Sequence, residues 1–331
     1  MDSIKKTHKI LINEILPSSY AFICFASFEG RSVSVPLALN TKAIDRAFVL
    51  RNVSHNAERE NKENVEQICN YIHCHELIDL NLSIPASVAD AIAEVVRGLV
   101  NGDKKTVVVD ISTFTHEALL ILLKLLHDNM EKLDKIYCLY NGASKYSGGV
   151  SPNEIWLSKG CRDVRNVIGY PGLLKPSSKN HLILLTGYEY ERATRLIEIL
   201  EPDLLSLGDG NEPTDSNHEK AMDYFKEKFK KWKDGFQGVV CNSFPFSCSN
   251  VEETIVALNQ IIEKFPNENY IIVPLNTKLS TVASAMVALH DNRIQLCYAI
   301  PEMYNSQQYS TPSDNVTIIN LNKIDSLFQQ P

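Results

Sequence analysis

The feature that most restricts how this chain can fold is that its alternation of apolar strands and amphipathic helices runs through twice. Residues 87–129 lie on residues 250–292 without a gap, and both segments close on the same tripeptide, His127-Asp128-Asn129 and His290-Asp291-Asn292. Within that overlay helix falls on helix, and TVVVDI at 106–111 falls on NYIIVP at 269–274. Each copy then enters a strand carrying a cysteine, Cys138 or Cys297. Tyr140-Asn141 and Tyr146-Ser147 follow in one copy, Tyr304-Asn305 and Tyr309-Ser310 in the other. The first strands correspond too: Phe28-Glu29 follows one and Tyr188-Glu189 the other, with Arg31 and Arg192 close behind. Five agreements in one order predict an internal duplication rather than a single irregular sheet.

The segments 21–27, 47–50, 76–82, 106–112 and 135–140 read as strands of the first half, the last of them closing it. Those of the second half are 181–187, 203–210, 238–244, 270–276 and a final strand 294–300, with Gly208-Asp209-Gly210 as a turn. The runs between them carry apolar residues at helical spacing, and continuous β-branched stretches mark strands covered on both faces. Ser87 is the expected cap of one helix, and Asn101-Gly102 its end. Strands alternating with helices of about ten to fifteen residues form βαβ crossovers and a mainly parallel sheet. The expected fold is therefore α/β: two Rossmann-like halves with mainly parallel sheets, related by internal duplication. Half one is 1–142 and half two 181–331. Between them 143–180 is a linker or excursion rich in Gly and Pro, in which WLSKGCRDVRNVIGY forms a short hairpin or helix.

Composition excludes some classes of function. The chain has 331 residues, 44% hydrophobic and 22% charged, with a formal charge of −7. Such a balance suits a globular protein and argues against a surface that coats nucleic acid or membrane. The first twenty residues lack the uninterrupted apolar run of a signal peptide, and no stretch is long and apolar enough to span a bilayer. A cytoplasmic location is the expectation. Of the eight cysteines, several sit in apolar runs (FICF, IYCLY, VVCN, QLCYA) as reduced core residues, and none has the spacing of a zinc knuckle or redox pair. His73-Cys74-His75 is the one patch resembling a metal site. Adjacent residues there point different ways, and no metal is expected.

In an open parallel sheet, ligands bind beyond the carboxyl ends of the strands, where the strand order reverses. That rule selects Ser27, Glu29 and Arg31 after the first strand, with Gly187, Glu189 and Arg192 as their counterparts. After the fourth strand come Asp110, Ser112 and Thr113, matched by Asn276, Thr277 and Lys278. After the fifth come Tyr140 and Asn141, matched by Tyr304 and Asn305. A strand passing through short polar residues into a helix exposes backbone N–H groups to an anion, and Lys278 adds a point charge suited to phosphate. The same hydroxyl and amide residues also serve as helix caps. No GxGxxG, GxxxxGK[ST] or GxSxG occurs, so no nicotinamide, P-loop or hydrolase-elbow fingerprint is present and no cofactor is expected.

Strand four running into VPLNTKLSTVASAM resembles the strand-turn-helix of the CRISPR-associated Rossmann fold (CARF), in which a Thr-Lys pair follows the strand. VDISTFTHEALL stands as a degenerate partner copy, and Pro274-Leu275-Asn276 replaces the family's paired glycines. CARF domains pair about a two-fold axis and bind cyclic oligoadenylates. The resemblance implies a pseudo-dimer in one chain that senses a cyclic nucleotide or other phosphorylated ligand. It would act through a protein partner, in antiviral defence signalling, since no stretch outside the two halves is expected to carry an effector. Two alternatives remain open: a cleft enzyme acting on a small anionic metabolite, and a structural subunit. For the enzyme, Cys241-Asn242-Ser243 at a strand end resembles the cysteine of two-domain amino-acid racemases, although the first half offers no facing cysteine.

Overall fold

The computed structural model describes residues 2–54, 57–146, 156–188, 190–212, 216–233, 239–306 and 309–329. In chain order the first half contains β1 (Ile4–His8), α1 (Ile12–Ile15), β2 (Tyr20–Ala26), α2 (Arg31–Ser34), β3 (Ile44–Asn52), α3 (Ala57–Tyr71) and β4 (His75–Leu80). It continues with α4 (Pro85–Val100), β5 (Val107–Asp110), α5 (His116–Asp128) and β6 (Ile136–Tyr140), and β7 (Ala143–Tyr146) follows it. Next come β8 (Ser158–Lys159), β9 (Asp163–Pro171), β10 (Asn180–Leu185), α6 (Tyr190–Leu200), β11 (Leu204–Asn211), α7 (Ser216–Lys233), β12 (Val240–Ser247), α8 (Val251–Lys264), β13 (Asn269–Pro274), α9 (Lys278–His290), β14 (Ile294–Ile300) and β15 (Met303–Tyr304). The chain ends with β16 (Ser310–Pro312), β17 (Asn315–Asn320) and α10 (Leu321–Ser326). Two compact units result, one of residues Met1–Ser144 with Ser310–Pro331, the other of Lys145–Tyr309.

The first unit holds a seven-stranded sheet in the order β1-β17-β6-β5-β2-β3-β4. Its five consecutive strands β6, β5, β2, β3 and β4 are parallel. Taken in chain order from β2, they run 3-2-1-4-5, the order of a doubly wound half. Every residue of β2, β5 and β6 is buried, as continuous apolar runs demand when helices cover both faces. One core layer gathers Phe22, Cys24 and Val49 with Ile68 of α3 and Ile72 just beyond it. At the outer edge Arg46 meets Glu76 at 2.6 Å and Arg51 meets Asp79 at 2.7 Å, placing charge on the last strand pair.

The second unit repeats the arrangement. Its sheet runs β12-β11-β10-β13-β14-β9, again 3-2-1-4-5 through the parallel strands. Its core joins Leu182 and Leu184 of β10 to Leu196 of α6, Phe225 and Phe229 of α7, and Val273 of β13. The fold class is thus α/β with two Rossmann-like halves and mainly parallel sheets.

The chain's route differs from the expected division at one point. Neither fifth strand closes its sheet. In the first unit β17 lies antiparallel on β6, and β1 then pairs with β17. In the second, β9 lies antiparallel on β14. By chain order β9 follows the first half's fifth strand and β17 the second half's, so each strand completes the sheet built by the other half. The span 143–180 is therefore not a linker, and 310–331 does not belong with the second half. A fifth strand left at a sheet edge exposes unpaired N–H and C=O groups, and the added strand satisfies them. Gly172, at φ +65°, lets the chain leave β9 tightly against Gln295, where a Cβ would sit 2.9 Å from the Gln295 Cβ.

Smaller corrections follow from local chemistry. Helix α4 starts at Pro85, with Pro in its first turn and no side-chain cap, so Ser87 lies inside it. Gly208-Asp209-Gly210 is not a turn but part of β11, in parallel register with Phe244, Pro245 and Phe246. A Cβ on Gly208 would come within 2.9 Å of the Phe246 ring, so the glycine serves packing between strands.

Candidate functional site

The strand order reverses between β2 and β5 in the first unit and between β10 and β13 in the second, and each reversal point is described in its own unit. Beyond β2 the chain folds back on itself through its own polar groups. The Glu29 amide donates to Ser27 Oγ at 3.1 Å, and Asn64 Nδ2 donates to the carbonyls of Ser27 and Glu29 at 2.6 and 3.2 Å. Arg31 Nε and Nη2 both donate to Glu29 Oε2, at 2.8 and 2.6 Å, and Ser310 Oγ donates to the same oxygen at 2.9 Å. Arg31 Nη1 also reaches the Asn141 carbonyl at 3.4 Å. Arg31 is 4% exposed and Glu29 9%, so this ion pair is buried.

Across the reversal point, Asp110 closes β5. Its Oδ1 accepts from the Ser112 amide at 3.0 Å and the Ser112 hydroxyl at 2.5 Å. That hydroxyl in turn accepts from the Asn141 amide at 2.8 Å, tying the end of β5 to the end of β6. Thr113 Oγ1 donates to the Phe25 carbonyl at 2.6 Å. Burial pushes the Asp110 carboxyl up to about 7, against the Ser112 hydrogen bonds and the Arg31 charge, which pull it down. Asn141 Nδ2 donates to the carbonyls of Ser313 and Asn315, and its buried Oδ1 has no partner among the described residues. Ser27, Glu29, Arg31, Asp110, Ser112 and Asn141 are thus joined in one network, with Thr113 bonded beside it to the Phe25 carbonyl, while Tyr140 is buried as the last residue of β6.

In the second unit, β10 ends at Leu185 and Thr186 Oγ1 donates to the Gly208 carbonyl at 2.7 Å. Gly187 then passes against the end of β13: a Cβ there would lie 2.6 Å from the Leu275 carbonyl oxygen and 3.2 Å from Asn276 Cα. Asn276 Nδ2 donates to the Thr186 carbonyl at 2.5 Å, and its Oδ1 accepts from the Thr277 amide at 2.8 Å. Thr277 caps α9, accepting from the Ser280 amide, and its hydroxyl donates to the Cys248 carbonyl at 3.0 Å. Lys278 is the first residue of α9 and is half-buried. Gly187, Asn276, Thr277 and Lys278 therefore share one crevice lip. Gly187→Ala is expected to cost about 1–3 kcal/mol of unfolding free energy, because carbonyl and backbone atoms cannot step aside as a flexible side chain does. A denaturant titration with an unchanged midpoint would refute the close approach.

The remaining residues are placed elsewhere. Arg192 Nη1 donates to the Ala299 carbonyl at 3.0 Å, a tie to the fifth strand like that of Arg31 in the first unit. Glu189 lies outside the described residues. Tyr304 and Asn305 lie in and just after β15, which pairs with β8, and Asn305 Nδ2 donates to the Trp156 carbonyl at 3.1 Å. Cys241 is the second residue of β12, paired with Leu205, and so stands near the amino end of the sheet rather than at a strand's carboxyl end. The racemase-like reading loses its geometry there. Cys74 Sγ donates to the Ile44 carbonyl, and His75 Nδ1 lies 2.7 Å from that of Ile72. Two groupings were not anticipated. Ser310 stands in the repeated Tyr-Ser motif, which is the one signal that marks it. Tyr146, Tyr188 and His218 cluster in the second unit with ring centroids 5.2–5.7 Å apart, Tyr188 stacked on His218 and Tyr146 edge-on to His218.

Among the described residues no helix is long and apolar enough to cross a membrane. No family model and no curated protein matches the chain. Among solved structures it has a faint likeness to an adenylation, ketoreductase and pseudo-Asub multidomain structure of a keto acid-selecting NRPS module. That likeness has 9% identity and a TM-score of 0.21, and covers 87% of this chain and 30% of the other. The chain thus spans under a third of that protein.

Proposed function

We propose that this chain is a ligand-sensing protein that holds a nucleotide or other phosphorylated small molecule at the β10/β13 reversal point of its second unit. The observation that carries the reading is the lip described above. There Gly187 lets the end of β10 pass against the Leu275 carbonyl, which brings it beside Asn276, Thr277 and Lys278 where they lead into the positive end of α9. Lys278 supplies the charge for a phosphate, and the backbone N–H groups at the start of α9 supply directed donors. The resemblance of the β13–α9 segment to the CARF strand-turn-helix makes a cyclic oligonucleotide the first ligand to try and a protein partner the receiver of the signal.

A thermal-shift screen with mononucleotides, dinucleotides, cyclic oligonucleotides and phosphorylated metabolites tests this. A ligand at a hundredfold excess over its dissociation constant adds roughly 2.7 kcal/mol to stability, enough to move the midpoint by several degrees. The expected result is a shift with one ligand class that Lys278→Ala abolishes. A cooperative melt that no member of the panel moves would overturn the reading.

A further inference from the structure

We propose that the first unit contains an anion socket filled by the chain's own Glu29 carboxylate, and that removing this carboxylate opens the socket to a phosphate-like oxyanion. Three donors from two distant parts of the sequence converge on one oxygen: Arg31 Nε, Arg31 Nη2 and Ser310 Oγ, all within 2.6–2.9 Å of Glu29 Oε2. A guanidinium edge with a hydroxyl beside it is the donor set that recognises phosphate oxygens. The position fits as well, since Glu29 and Arg31 follow β2, the strand at which the order reverses. The frame of the socket does not depend on the carboxylate. Asn64 and Ser27 hold the loop backbone, Arg31 Nη1 is tied to the Asn141 carbonyl, and Ser310 belongs to β16. Glu29 thus acts as a built-in competitor. An anion approaching the wild-type socket must displace a buried carboxylate held by three hydrogen bonds, which keeps the first unit closed to it.

This inference concerns the first unit alone and does not rest on the ligand proposed for the second. The test uses the full chain in a Lys278→Ala background, so that any phosphate response of the second unit is set aside. Inorganic phosphate is titrated against sodium chloride at matched ionic strength, with the melting midpoint as readout. Glu29→Ala is expected to gain a saturable phosphate stabilisation, with binding at least about tenfold tighter than in the parent. Adding Arg31→Ala should abolish that gain. If Glu29→Ala does not fold, Glu29→Ser takes its place, since its short side chain also leaves the carboxylate position empty while keeping a polar group on the loop. A midpoint that phosphate moves no further in the folded variant than in the parent overturns the proposal.

Discussion

A chain ending at residue 309 is expected to lose the fold of its first unit while keeping that of its second. The missing segment carries β17 and α10, and with them the fully or almost fully buried Val316, Ile318, Ile319, Leu321 and Ile324. At about 1.5–3 kcal/mol for each aliphatic side chain taken out of water, their loss removes roughly 10 kcal/mol. That is the whole stability of an ordinary domain. The damage spreads further, because β1 pairs with β17 and is left with nothing to pair with, and β6 regains an open edge. The Asn141 side chain also loses the carbonyls of Ser313 and Asn315. The second unit keeps all six strands of its sheet, since β9 precedes the cut. Hydrogen exchange resolved along the chain separates the outcomes. Amides of β2, β5 and β6 should exchange freely while those of β10, β13 and β14 stay protected. Protection of β2, β5 and β6 in the shortened chain would show that β17 is dispensable, against the topology described here.

The parallel strands were legible in the sequence because their apolar runs are long and their helices periodic; α6, α9 and β14 fall on the residues that periodicity predicts. The antiparallel strands were not. Strand β9 reads DVRNVIGYP and β1 reads IKKTH, and neither has a continuous apolar run, since each lies at an edge with one side open. No local signal in NVTIIN at β17 announces that its partner is β6, which precedes it by some 175 residues; only a free edge waiting on the fifth strand could have done so. The site shows the same contrast. The reversal-point rule picked Ser27, Glu29, Arg31, Asp110, Ser112, Thr113 and Asn141, which all follow the ends of β2, β5 and β6. It could not foresee that Arg31 would spend its charge on Glu29, because that depends on side-chain reach and on Ser310 arriving from the far end of the chain. Cys241 was misplaced for a simpler reason: β12 runs on from Val240 to Ser247, past the expected end at 244, and Pro245 is tolerated within it because β12 is an edge strand.

Lowering the pH from 8 to 5 should strengthen the first unit and weaken the second, and Asp110→Asn should remove the first effect. Burial holds the Asp110 carboxyl at about 7 against an ordinary 3.8. The folded unit therefore keeps a proton that the unfolded chain releases, so stability is fullest below about 3.8 and falls as pH rises toward 7. The difference of about three units, at 1.36 kcal/mol each, amounts to roughly 4 kcal/mol at pH 8. In the second unit His181 moves the other way. Its ring lies buried among Phe265 and Tyr270 with Nε2 2.7 Å from Ser206 Oγ, and burial lowers it to about 4 from 6.5. Protonation then favours the unfolded chain, and that stability is lost as pH falls from 6.5 toward 4. Asparagine at 110 can still accept from Ser112 and carries no charge to bury, so it should stabilise the first unit by several degrees at pH 8 and change little at pH 4. Exchange rates of amides in β5 and β10, followed across this pH range, report the two units separately. Equal pH responses of the two strands, or an Asp110→Asn chain that melts like wild type at pH 8, would mean that Asp110 is ionised at no cost. Its bonds to Ser112 and the nearby Arg31 charge would then have outweighed its burial.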